Sequence, residues 1–232
     1  MNPKFTYLLI DLLSIAFPLA FSFHKKANFS NKWRFLWPGM LITTILFIAW
    51  DTAFTRMGVW GFNPKYLIGI YLYNLPIEEI LFFICIPYSC VFLYEALNYL
   101  IKKDLFQDYA SSISILLVMF LFTMGLMNTG RWYTGVTFIA CAKVIALNEW
   151  KWKSPFMGRF YFAFIFILIP FFIVNGILTG SFMDEPVVWY NEQEMLGIRM
   201  GTIPFEDTFY GMLLILMNIS IFENRQMKAQ QA

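Results

Sequence analysis

Seven stretches of this chain are apolar over nearly the length a helix needs to cross a bilayer, about 20 residues. They are centred on 5–23, 36–54, 77–98, 109–128, 132–149, 158–178 and 204–223. Only short polar segments separate them, which predicts an all-α integral membrane protein of about seven transmembrane helices. Charged residues make up 14% of the chain, against about 25% in soluble domains, so there is too little polar surface to dissolve it. The fifth stretch is the weakest, because it contains Lys143 and small residues. The first reads as a span rather than a signal peptide: only Lys4 makes its leading end basic, and no A-x-A site follows.

The same segments recur. Leu67 to Glu79 can be laid over Met195 to Asp207 at a constant offset of 128, which matches Gly69-Ile70 with Gly197-Ile198, Pro76 with Pro204, and Glu78-Glu79 with Glu206-Asp207. The offset also pairs Phe62-Asn63 with Tyr190-Asn191 and Glu95 with Glu223. Upstream it slips by about four, pairing Trp50-Asp51 with Val174-Asn175. Agreement at this many positions points to duplication. The expected layout is a first repeat over 1–102, a linking span over 103–130 and a second repeat over 131–232. The linking span makes the two repeats parallel, with a functional site where they meet.

Positive charge sets the expected orientation. With the N-terminus outside, the inner segments hold Lys25, Lys26, Lys32, Arg34, Lys102, Lys103, Lys151, Lys153, Arg159, Arg225 and Lys228. The outer segments hold Lys4, Arg56, Lys65, Arg131 and Arg199. A multi-pass cell-membrane protein with its C-terminus in the cytoplasm follows, and lipid is its first partner. A net charge of +2 without a basic stripe gives no basis for a nucleic-acid partner. Cys85, Cys90 and Cys141 lie in apolar runs without metal spacing, and His24 sits in a basic loop. No metal is expected, and no nucleotide-binding fingerprint occurs.

The carboxylate pairs carry the chemistry. Glu78-Glu79 and Glu206-Asp207 each open a span just after Pro76 or Pro204, with Asn74 and Thr202 as candidate N-caps. Acids in a first turn complement the helix dipole. Here, however, the pair is doubled, repeated and followed at once by apolar residues, and charge beside hydrocarbon is costly enough to mark a functional site. A proton held between such acids can protonate an alkene, and aromatic faces can stabilise the resulting cation. Trp50, Trp60, Phe62, Phe82, Phe83, Phe205, Phe209 and Tyr210 cluster around the motifs as candidate substrate contacts. Pro76, Pro204, Asp51, Asn63, Asn175 and Asn191 are candidate supporting residues, Asn63 and Asn191 either orienting a carboxylate or closing a turn and Asn175 the neutral counterpart of Asp51. Glu95 and Glu223 fall at the opposite helix ends, and Asp184, Glu185, Glu192 and Glu194 make an acidic outer loop.

Trp50-Asp51, Gly58 to Asn63 and Leu75 to Phe83 resemble the lycopene cyclase domain of bacterial and fungal carotenoid synthesis. The duplicated Pro-x-Glu-acid motif is similar to that of the fused form of the two-chain enzymes. The resemblance implies a lycopene β-cyclase, an isomerase that needs no cofactor and takes a linear carotenoid as substrate. It assigns Glu78 and Glu206 as first candidates for proton donor, with Glu79 and Asp207 tuning the donor or accepting the returning proton. Self-association stays open, as does the number of ends cyclised. The competing reading is a small-solute transporter with 3+1+3 parallel repeats, which the scarcity of polar residues in the spans disfavours.

Overall fold

The fold is known from a computed structural model, which describes residues 2–25 and 28–231; Lys26 of the charge count lies outside the described residues. Seven α-helices follow the seven apolar stretches: α1 (Thr6–Ser22), α2 (Trp33–Met57), α3 (Ile77–Leu100), α4 (Ala110–Met127), α5 (Trp132–Ala146), α6 (Met157–Leu178) and α7 (Phe205–Gln231). Six of them are long and apolar enough to cross a membrane. The exception is α5, the stretch with Lys143, which a π-helical turn over Leu147–Lys151 prolongs. Leu13, Leu41, Ile45, Leu116, Met119 and Ile173 are exposed on the outward faces, as lipid-facing residues are.

Helix α1 packs on α3 and α5 on α7, while α2 and α6 each pack more heavily across the halves, α2 against α7 and α6 against α3. Polar side chains tie the seam between halves: Thr43 donates to the Asn218 Oδ1 at 3.0 Å, a bond that helices in lipid use in place of a hydrophobic driving force. The linking helix α4 lies along α5, and glycines set how closely. A Cβ added at Gly125 would stand 2.7 Å from the Ile139 Cγ1 and 3.2 Å from its backbone nitrogen.

Short strands carry the duplication into three dimensions. In the first half β2 (Tyr71–Leu72) pairs with β3 (Leu75–Pro76), and in the second β5 (Arg199–Met200) pairs with β6 (Ile203–Pro204), at positions 128 apart. The remaining strands, β1 (Trp60–Phe62) and β4 (Val188–Tyr190), pair with each other across the halves. Their register is Trp60 with Tyr190, Gly61 with Trp189 and Phe62 with Val188. Under the 128-residue shift this antiparallel pair maps onto itself, so a pseudo-two-fold axis passes between Gly61 and Trp189. The flanking bonds obey it too: Asn63 N–H donates to the Val187 carbonyl and Asn191 N–H to the Val59 carbonyl, both at 2.8 Å. The axis brings the N-terminal ends of α3 and α7 together, as parallel repeats require.

Pro76 is the N-cap of α3 and bridges to Tyr71; β6 likewise holds Pro204 before α7. One local expectation is corrected. Asn74 and Thr202 are not N-caps: Asn74 donates to the Thr52 carbonyl at 3.0 Å, and Thr202 shares hydroxyl bonds with Thr179 and Ser181 at 2.7 and 2.8 Å. The strand bridge places both side chains away from the helix axis, toward neighbouring helices.

Gly125→Leu is expected to lower the melting temperature of the detergent-solubilised protein, at a cost of about 1–3 kcal/mol for overpacking. Gly130→Ala, where an added Cβ meets nothing within 4 Å, is expected to leave it unchanged; equal behaviour of the two would remove the close α4–α5 contact as a stabilising feature.

Candidate active site

The first acid of each motif turns back onto its own loop. The Glu78 Oε1 accepts the Ile68 N–H at 2.7 Å, and the Glu206 Oε1 accepts the Leu196 N–H at 2.7 Å, the same bond 128 residues on. Glu206 takes a second donor, the Thr134 hydroxyl, at 2.6 Å. Both glutamates are wholly buried. Gly69 and Gly197, at φ +89° and +75°, provide the left-handed step that lets each loop close, a conformation glycine adopts at no steric cost.

The second acid of each motif points elsewhere. Glu79 and Asp207 both line one cavity of about 310 Å³, which runs between α1, α3, α6 and α7 from the motif end toward mid-helix. Tyr7 of α1 donates its hydroxyl to Glu79, and Tyr133 of α5 donates to Asp207. Asp207 takes a further hydroxyl from Tyr190 at 3.0 Å. Burial, and then the Asp207 carboxyl, push the Tyr190 phenol well above its usual range, so it remains a donor. Asp51 also borders the cavity and accepts the Trp60 indole N–H.

The cavity gathers some of the sequence-predicted contacts and leaves others behind. Trp60, Phe62, Phe82 and Tyr210 are in its wall, with Asp51 and Asn175. Trp50 stacks on Phe47 and Phe83 packs at a tilt against it instead, at 5.6 and 5.8 Å between ring centroids. Phe205 and Phe209 pack against Phe138 of α5 at 6.3 and 5.2 Å. Asn63 and Asn191 close turns, each accepting the backbone N–H two residues on at 3.1 Å. At the far helix ends, Glu95 pairs with Lys32, and Tyr94 donates to Glu223 at 2.5 Å. The acidic loop before α7 is partly engaged, with Glu192 on Arg199 and Glu194 on the Trp132 N–H.

An apolar cavity whose carboxyls gather at one end, beside aromatic side chains, suits a long apolar molecule handled chemically at its tip. The lycopene cyclase family model matches residues 4–97 and 130–224, one match in each half. The chain belongs to the lycopene cyclase family. Among curated proteins, it is 38% identical over 76 residues to the bifunctional lycopene cyclase/phytoene synthase of Colletotrichum graminicola, covering 32% of this chain and 12% of that protein. It is 35% identical over 108 residues to that of Podospora anserina, 45% of this chain and 16% of that protein. It is 23% identical over 184 residues to that of Neurospora crassa, 77% of this chain and 26% of that protein. The chain thus spans about a quarter or less of the length of these relatives. No solved structure matches it.

Tyr7, Tyr133 and Thr134 are site residues that the motif alignment misses. The signal was a repeated tyrosine at the start of the first and fifth spans, offset by 126 and so outside the 128-residue register.

Glu78→Gln keeps an acceptor for the Ile68 N–H, whereas Glu78→Leu leaves that N–H unpaired, at a cost of about 1–3 kcal/mol. Thermal unfolding of the two variants is expected to separate them, with the leucine protein melting lower. Equal melting would show that Glu78 does not anchor the loop.

Proposed function

We propose that the chain is a lycopene β-cyclase that converts linear ends of a carotenoid into β-rings by proton transfer alone, with Glu79 and Asp207 as the catalytic carboxyls. The observation that carries this reading is the convergence of one acid from each half on a single apolar cavity. Glu79 holds one hydroxyl donor and Asp207 holds two, so Asp207 is the better-built seat for negative charge and Glu79 the proton donor. Glu79 protonates the terminal double bond of the bound end; the neighbouring alkene attacks the resulting cation and closes a six-membered ring. Asp207 then removes a proton from the ring cation to leave the ring double bond. One proton enters and one leaves, so the product is an isomer of the substrate. The faces of Trp60, Phe82 and Tyr210 border the cavity where the cation forms, and aromatic quadrupoles attract cations without capturing them as water would. Tyr7 and Tyr133 position the carboxyls. Glu78 and Glu206, tied to backbone N–H groups, serve as anchors rather than first proton donors.

On this reading the repeats occupy 1–102 and 131–232 with 103–130 between them. The excess of Lys and Arg on one side supports a cell-membrane protein with its N-terminus and motifs outside. Lipid and lycopene are its partners, and self-association is compatible with the broad apolar outer surface.

In a lycopene-accumulating bacterial host, the wild-type chain is expected to produce β- or γ-carotene. Glu79→Gln and Asp207→Asn are expected to lower conversion by about 10²–10⁴, the contribution of a positioned acid or base. Conversion in heavy water should place one deuterium in each ring formed. Unchanged lycopene with well-inserted wild-type protein would refute the cyclase reading and return transport to consideration.

A further inference from the structure

A duplicated chain with a pseudo-two-fold axis should hold a counterpart of every cavity region that lies off the axis. The cavity described above is walled by α6 through Val174 and Leu178 and by α7 through Gly211. The axis carries these three positions onto Trp50, Phe54 and Phe83, by the 124-residue offset of α2 and α6 and the 128-residue offset of α3 and α7. Each exchange replaces a smaller side chain with an aromatic one. The aromatics meet in the space concerned: Trp50 lies 5.7 Å from Phe54 and 5.4 Å from Tyr210 between ring centroids, and Phe47 bridges Trp50 to Phe83. Phe83 is completely buried and Phe54 nearly so. The counterpart of that off-axis region is therefore filled with side chains, while the second acid of each motif, Glu79 and Asp207, borders the open cavity.

We propose that the two motifs build one substrate channel rather than two, that it takes one end of a linear carotenoid at a time, and that Trp50, Phe54 and Phe83 close its symmetry mate. The proposal rests on the cyclase reading and deepens it. Along α3 the channel wall runs from Glu79 to Leu93, about 21 Å at 1.5 Å per residue. That holds one end and part of the polyene of a molecule about as long as the hydrocarbon core, roughly 30 Å. The other end then lies far from both catalytic carboxyls, so a second ring requires release and re-entry in the reverse sense. Any bicyclic product forms through a free monocyclic intermediate.

The test combines stoichiometry with variants. Purified wild-type protein in lipid nanodiscs, titrated with lycopene and read by its shifted visible absorption, is expected to saturate at one lycopene per chain. In the lycopene-accumulating host, Glu79→Gln alone and Asp207→Asn alone are each expected to suppress total ring formation, monocyclic products included, at least a hundredfold. Val174→Trp, which fills the channel as Trp50 fills its counterpart, is expected to abolish binding and conversion while melting near the wild-type temperature. Two lycopenes per chain, ring formation by either acid variant at about half the wild-type level, or normal conversion by Val174→Trp would overturn the single channel while leaving the cyclase reading intact. Failure of the wild-type chain to convert lycopene would instead remove the reading on which the channel rests.

Discussion

A carboxylate buried against a backbone N–H at the start of a membrane helix is the contact on which both halves depend. Through it Glu78 holds the loop at Ile68, and Glu206 holds the loop at Leu196. A buried charge or polar group without partners is costly in an apolar interior, so these bonds leave the loop little freedom. With the first acid facing its loop, the adjacent acid is turned by about 100° around the helix, toward the centre of the molecule. The doubled acid thus divides into one carboxyl bound to its own loop and one that faces the cavity.

The pairing of β1 with β4 then makes one object of two repeats. Because the strand pair is its own image under the duplication, it sets the axis and brings the ends of α3 and α7 side by side. Near the axis the halves differ in what they contribute. The first supplies Glu79, Asp51 and the Trp60 indole; the second supplies Asp207 with two tyrosine hydroxyls. Duplication followed by divergence of the side chains around one axis yields a site whose two acids have different surroundings, which a reaction that gives and then takes a proton can use.

The balance of packing against opening follows the same logic. Aromatic residues are numerous in this interior, but their work differs by position. Phe47, Trp50 and Phe83 fill space between α2, α3 and α7, whereas Phe82 and Tyr210 border the cavity. Phe205 and Phe209 hold α7 against α5. A stripe of aromatics beside a motif carries both roles in the same letters.

The sequence by itself determined the spans, the duplication and the location of the acids, because each is a local property: bilayer thickness fixes apolar length, and a repeat survives as matched positions at one offset. It also placed Glu95 and Glu223 at the opposite helix ends by counting residues along a helix. Only the tertiary structure decided which acid of each pair faces the cavity, since adjacent helical residues differ only in azimuth and the loop bond sets that azimuth. Tyr7 and Tyr133 became visible in the same way, because hydroxyls from α1 and α5 reach α3 and α7 across the interior, where no motif spacing applies. Asn74 and Thr202 carried a capping pattern, and the strand bridge before each helix overrode it. Periodicity and offset report what a segment does along its own axis; which neighbour each side meets is settled by packing.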